Sequence, residues 1–289
     1  MFYHYTSLNG FLGILESQGV WASHGEYLND STEISHALNF AKSFAGGIFM
    51  EDDYLAAFGW ALRHGLGQME RDAVYVCSFS EKPDLLSQWR GYCPEGAGIC
   101  LGFDKEVVQT YCDHNDFVLS ECLYDEQKQR EHVYDLVNGC FRSFPKPMIS
   151  RDKYNSLSVE EQCEQEVRYR EHTSEGQGKL EADSAIKEFC DLINECAPLM
   201  KNYGFHEEAE WRVVARNPNS EVLYRAANSH LVPYINLSIL KHNKDALQKV
   251  IIGPNPSAQR CAASVVSALK SKGFEHAEVE ISSIPFSSW

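Results

Sequence analysis

The chain has 289 residues, 44% hydrophobic and 12% aromatic, enough to bury a substantial core and too apolar for bulk disorder. With 26 Lys and Arg against 41 Asp and Glu, the formal charge of -15 disfavours a large nucleic-acid footprint, although a local cationic site for a small anion such as a dinucleotide remains open. No apolar run reaches the length of about 18 residues that a membrane span needs, and no basic-then-apolar leader occurs, so a cytoplasmic protein without membrane contact is expected.

Residues 2–6, FYHYT, read as a short strand. Ser7 or Asn9 is placed to cap a helix through GFLGILES, where Phe11, Leu12 and Leu15 recur at helical spacing, and Gly19 stops it before a second strand in VWAS. From Asp30 to about Gly65 the pattern is helical, with Ser31 as candidate cap and Glu33 in the first turn. AVYVCSFS, residues 73–80, alternates β-branched and aromatic residues as a strand does. DLLSQWRGY predicts a short helix ending at Gly91, and PEGAG a turn into a strand, ICLGF.

Residues 117–125 read as a strand, followed by a helix in EQKQREHVYDLVNGCF. From about Ser143 to Asp183 the chain is polar and highly charged, which reads as a helical excursion with a flexible stretch. Strands return at 210–216, 221–226, 231–238 and 249–254, then an amphipathic helix in ASVVSALKSKG and a last strand in AEVEISSIPF. No internal repeat is visible. The spacing predicts one elaborated α+β domain over 1–289, a split mixed sheet with surrounding helices, and a mainly helical insertion at 125–200 between the halves of the sheet.

Familiar motifs fail on order. In GAGICLG the glycines precede a strand instead of following one, and in GQGKL Thr173 stands where a phosphate loop needs its first glycine. The 10 cysteines are scattered, with no CxxC and no His pair at zinc spacing, so they read as reduced thiols and no metal site is expected. Polar constellations remain. His4 and Thr6 project from one strand face and Tyr5 from the other, placing hydrogen-bonding groups toward a ligand, unless His4 simply satisfies a core carbonyl.

Ser78 and Ser80 share one side of their strand. Arg90 suits a phosphate or a structural carboxylate, and Trp89 suits stacking or core filling. In HEEAEWRVVAR a strand beginning near Glu208 puts Glu208 and Glu210 on one face and Trp211 on the other; paired carboxylates suit a developing oxocarbenium ion, or else a solvated strand edge. A magnesium-dependent phosphodiesterase built on Glu207, Glu208 and Glu210 lacks a second carboxylate-bearing strand.

Taken in order, FYHYTSLNGFLGILESQGVWASHGEYLND, VCSFSEKPDLLSQWRGYCPEGAGICLGFD, FHEEAEWRVV and VIIGP resemble a bacterial family catalogued as domain of unknown function 2971. The opening is also similar to the start of DNA-modifying ADP-ribosyltransferase toxins, with an H-x-T strand, a helix and a short strand after Gly. That resemblance implies an ADP-ribosyltransferase-like fold with NAD as substrate. It implies that His4, Tyr5, Thr6, Ser78, Ser80, Trp89 and Arg90 line the NAD pocket, that Tyr92 is a further stacking candidate, and that Glu210 is catalytic with Glu208 and His4 beside it. A carboxylate near the ribose would stabilise the charge that builds as the nicotinamide bond breaks. The implied setting is a toxin or anti-phage effector, modifying a nucleic-acid or protein acceptor or hydrolysing NAD, with an antitoxin or defence partner. The alternative is a non-catalytic nucleotide-sensing or protein-binding module.

Overall fold

A computed structural model describes residues 1–28, 33–69, 72–93, 98–227 and 229–285, with the backbone alone at 33–35. The opening alternation forms β1 (Phe2–Ser7), and Ser7, not Asn9, caps α1 (Leu8–Ser17) by accepting from the Gly10 amide at 3.1 Å. Gln18 ends α1 in the left-handed conformation, φ 51°, ahead of Gly19, and β2 (Val20–His24) follows.

The helical pattern after residue 30 resolves into α2 (Glu33–Glu51) and α3 (Ala56–Gln68), separated by a 3-10 turn at Asp53–Leu55. The break lets α3 fold back on α2 so closely that a Cβ on Gly59 would sit 2.5 Å from the Phe49 nitrogen. The cap expected at Ser31 lies outside the described residues.

Next come β3 (Val74–Ser80), α4 (Leu86–Tyr92), β4 (Gly98–Phe103), α5 (Lys105–His114) and β5 (Val118–Glu121). The turn expected in PEGAG falls largely on residues outside those described. Helix α5 has a weak sequence signal, because only Val108 and Cys112 are fully buried; Asp104 fixes its start by accepting from the Glu106 and Val107 amides.

Helices α6 (Glu126–Ser143), α7 (Arg151–Asn155), α8 (Val159–Ser174) and α9 (Gly176–Cys196) follow. The charged stretch expected to be partly flexible is thus mostly helical, outside residues 144–150 and 156–158. Ser158 and Glu161 close a capping box at the start of α8, and α9 buries Ala182, Ala185, Phe189 and Ile193 at helical spacing. The chain ends with β6 (Glu210–Arg216), β7 (Leu223–Ala226), β8 (Leu231–Leu237), α10 (Ile239–His242), β9 (Leu247–Ile252), α11 (Ala258–Lys272) and β10 (Glu278–Ile281). Gly273 takes φ 77° after α11, so that the Phe274 amide reaches back to the Leu269 carbonyl at 2.9 Å.

These elements form two compact units. The first comprises residues 1–29, 73–122 and 203–289; the second combines 30–72 with 123–202, so the helical unit draws on two chain segments, not only the later one. The first unit is mixed α+β with a mostly antiparallel sheet, ordered β10-β9-β4-β1-β3-β2-β8-β7, with β6 paired to β3 and to β5. Among the described strand pairings β9 with β10 alone is parallel, apart from an isolated parallel bridge between Leu123 and Met200. One sheet face buries Val20, Cys77, Phe79, Leu101 and Val250 under Ile14 of α1, Val108 of α5, Leu240 of α10 and Leu269 of α11. The other carries a smaller cluster, in which Tyr3, Tyr5, Cys100 and Ile251 meet Trp89 and Cys93. The helical unit has its own core around Ala41, Phe58, Val137, Phe144 and Phe189.

Candidate functional site

The sheet forks at β3. One edge of that strand pairs with β1 at Tyr3 opposite Ser80 and with β2 at Ser23 and His24, opposite Val76 and Tyr75, while the other edge pairs with the whole of β6. Cys77 and Ser78 lie where β1 and β2 diverge. His4 fills that fork, its Nδ1 2.9 Å from the Ser78 carbonyl. Because a carbonyl only accepts, Nδ1 carries the hydrogen, and Nε2 of the neutral ring is left as an acceptor. Burial lowers the pKa of His4, against the smaller opposing effect of the Ser78 carbonyl, so the neutral ring is favoured.

The surroundings of His4 are apolar. Phe79 lies 5.7 Å away between ring centroids, and the Cys77 sulfur is 3.9 Å from Nδ1. Burial raises the Cys77 pKa far above the usual thiol range, which keeps it protonated and unsuited to attack as a thiolate. Thr6, on the same strand face, stands over the start of α1, where a Cβ on Gly10 would come within 2.1 Å of its Oγ1.

Register divides the residues expected to share one pocket. His4 and Thr6 lie opposite Leu101 and Ile99 of β4, on the face covered by α1. Ser78 and Ser80 lie opposite Arg212 and Glu210 of β6, and Ser80 also opposite Tyr3, which places this set on the other face. The strand alternation therefore brings Ser80 to Glu210 and separates both from the His4 side chain.

The pairing of Glu208 with Glu210 on one strand face is corrected as well. Glu208 ends a 3-10 helix, Tyr203–Glu208, and Ala209 turns the chain with φ 43° before β6 begins at Glu210. Ser80 Oγ donates to the Glu208 carbonyl at 2.6 Å and accepts from the Lys82 amide at 3.0 Å, so it fastens this turn. Glu210 is not at a solvated edge. Its Oε1 lies 2.7 Å from Arg212 Nε and its Oε2 3.3 Å from Nη2, with the two side chains 4% and 3% exposed. Trp211 faces the opposite way, as expected, and packs 5.2 Å from Phe2 under the Lys105 ammonium.

Tyr5 and Trp89 meet edge-to-face at 4.9 Å. The Tyr5 hydroxyl donates to the Lys82 carbonyl and accepts from the Leu85 amide, both at 2.9 Å, and burial drives its pKa upward. Trp89 Nε1 donates to Asp84 at 2.9 Å. Gly98 and Gly253 line the indole: a Cβ on Gly253 would approach it to 2.8 Å, and one on Gly98 would collide with Cys93 at 2.1 Å. The WRGY element, Gly98 and the IGP element therefore assemble one packed cluster in which Trp89 is 4% exposed, while Arg90 lies exposed on the same short helix.

Sequence reasoning missed Asp84. Its carboxylate also accepts from Ser282 and Ser283, almost 200 positions further along the chain. It missed Arg225 too, a half-buried guanidinium on β7 whose Nη2 donates to Ser23 Oγ at 3.1 Å. Neither has a local signature, since each partner arrives from a distant strand or loop. Among the described residues no group of His, Cys, Asp and Glu is arranged to hold a metal ion, and no helix is long and apolar enough to cross a membrane.

Residues 88–213 match a family model described as "Protein of unknown function (DUF2971)", a stretch that begins at the buried Gln88 before Trp89 and ends within β6. No curated protein and no solved structure matches the chain.

Proposed function

We propose that the sheet unit binds a nucleotide of the NAD class at the fork between β1 and β2, and that it acts as a binding or sensing module and not as a transferase. The observation that carries this reading is the division of the sheet. The neutral His4 ring occupies the fork on one face, while the Glu210 carboxylate is engaged by Arg212 on the other. A transferase of the resembling toxin class needs its histidine and glutamate to converge on one ribose, and β-strand alternation sends these two side chains apart.

What supports a nucleotide ligand is the strand, helix and strand order at the fork, with the acceptor nitrogen of His4 and the hydroxyl of Thr6 beside the start of α1. The acidic balance suits a small ligand met by a few groups better than a long duplex. The rival transferase reading rests on Glu210, which is buried beside Ser80 and held in one orientation.

Titration of the purified chain with NAD and with ADP-ribose, followed calorimetrically and by release of nicotinamide, separates the two. The binding reading expects saturable heat, no nicotinamide, and binding weakened at least about tenfold in His4→Ala, the effect of losing one good hydrogen bond. Nicotinamide release that disappears in Glu210→Gln would establish the transferase. Absence of binding by either nucleotide would overturn both.

A further inference from the structure

The helical unit contains a cavity of about 850 Å³ between α3, α8 and α9, within the range of about 300–1,000 Å³ typical of small-molecule sites. Its floor is apolar and made of small residues, among them Ala57, Ala61 and Ala182. Gly65 belongs to that floor, and a Cβ there would collide with Ile186 at 2.2 Å. One wall is an aromatic platform. Trp60 and His64, one helical turn apart on α3, stack with centroids 4.9 Å apart and planes within 6°, and Trp60 keeps 52% of its surface exposed.

The rim supplies charge. Asp183 is occupied by Lys179 at 3.0 Å, and Asp72 is also engaged. Arg170 and Lys187 line the cavity without an ion pair among the described residues, beside a third carboxylate, Asp191. Thr173, Ser174 and Gln68 add groups that hydrogen-bond.

We infer that this cavity is a second ligand site, independent of the nucleotide site proposed for the sheet, and that it takes a planar aromatic anion. The ring lies against Trp60 over the alanine floor, and its carboxylate or phosphate meets Arg170 and Lys187. An aromatic ring matches the exposed indole face, and two cations without an ion pair of their own offer a negative group charge-assisted contacts that a neutral one cannot use.

The test uses the full chain and three probes that share one ring: 2-naphthoate, 2-naphthyl phosphate and the neutral 2-naphthamide. Quenching of tryptophan fluorescence follows binding, with Trp60→Phe identifying the responding indole. The expected result is saturable, equimolar binding of at least one anion, with the amide at least about tenfold weaker. That preference should vanish in Arg170→Gln/Lys187→Gln, whose exposed positions spare the fold. Whichever anion binds tighter tells whether a carboxylate or a phosphate is the recognised group. The inference is overturned if neither anion binds, if the amide binds as tightly, or if the preference survives in the double variant.

Discussion

His4 closes the fork in the sheet by donating its Nδ1 hydrogen to the Ser78 carbonyl across 2.9 Å, and burial lowers its pKa. A histidine whose folded pKa lies below its unfolded value of about 6.5 stabilises the fold above that value. Below it the unfolded chain takes up a proton that the folded chain resists, so stability falls until the folded pKa is passed. Urea midpoints measured from pH 7.5 down to pH 5 should therefore decline in the parent protein and decline less in His4→Gln. Equal slopes would show that His4 is not the titrating group.

Glu210 and Arg212 form a buried pair with bidentate geometry, and removal of one partner takes this ion pair away from the other in a low-dielectric site. Arg212→Met is expected to lose about 3–5 kcal/mol of unfolding free energy, and Glu210→Leu/Arg212→Met markedly less than the sum of the single losses. Denaturant titrations of the two single variants and the double variant check this. Additive losses would mean that the two side chains act independently.

Trp89 depends on the absence of a side chain at residue 253. Gly253→Ala places a methyl group 2.8 Å from the indole, and neither the Gly98 carbonyl, 3.0 Å away, nor Tyr5 behind the ring leaves room to yield. A loss of about 1–3 kcal/mol is expected, typical of overpacking. Gly91→Ala, which meets nothing within 4 Å, serves as the control and should be nearly neutral. Thermal unfolding of the two variants side by side separates crowding at Trp89 from a general cost of replacing glycine.

The legible parts of this fold were those written locally. β1, β3 and β6 alternate, α1 begins at a serine that caps it, and each appears close to where periodicity placed it. What failed was non-local. The sequence pattern puts Ser80 and Glu210 on their strands, but whether they share a face with His4 depends on the register of β3 against β1 and β6, which no periodicity encodes. Glu208 read as a strand residue because HEEAEWR has no Gly or Pro to mark the turn that Ala209 makes at φ 43°. The WRGY and IGP elements stood out as motifs, and packing gives their reason: Trp89 needs Gly98 and Gly253 beside it. The ligand-sized cavity of the helical unit left no trace in the sequence, because it joins α3 to α8 and α9 from separate chain segments.

Asp84 ties the end of the described chain to α4. Its carboxylate accepts from Trp89 Nε1, from the Ser283 amide at 2.8 Å and hydroxyl at 3.0 Å, and from the Ser282 hydroxyl. Burial alone would raise its pKa, but these hydrogen bonds, with that of Ser282 foremost, outweigh burial and hold it below the usual carboxylate value. A depressed carboxylate stabilises the fold above its unfolded pKa of about 3.9, and the stabilisation is lost as pH falls from there through the folded value. Acid titration of stability between pH 5 and pH 2.5 should accordingly show a component that Asp84→Asn removes. In that variant the segment 282–285 should also open, read as faster amide hydrogen exchange at Ser283 and Ile284 at neutral pH, while exchange in β9 stays unchanged. Unchanged exchange at Ser283 would mean that β10 alone, and not the Asp84 carboxylate, holds this segment in place.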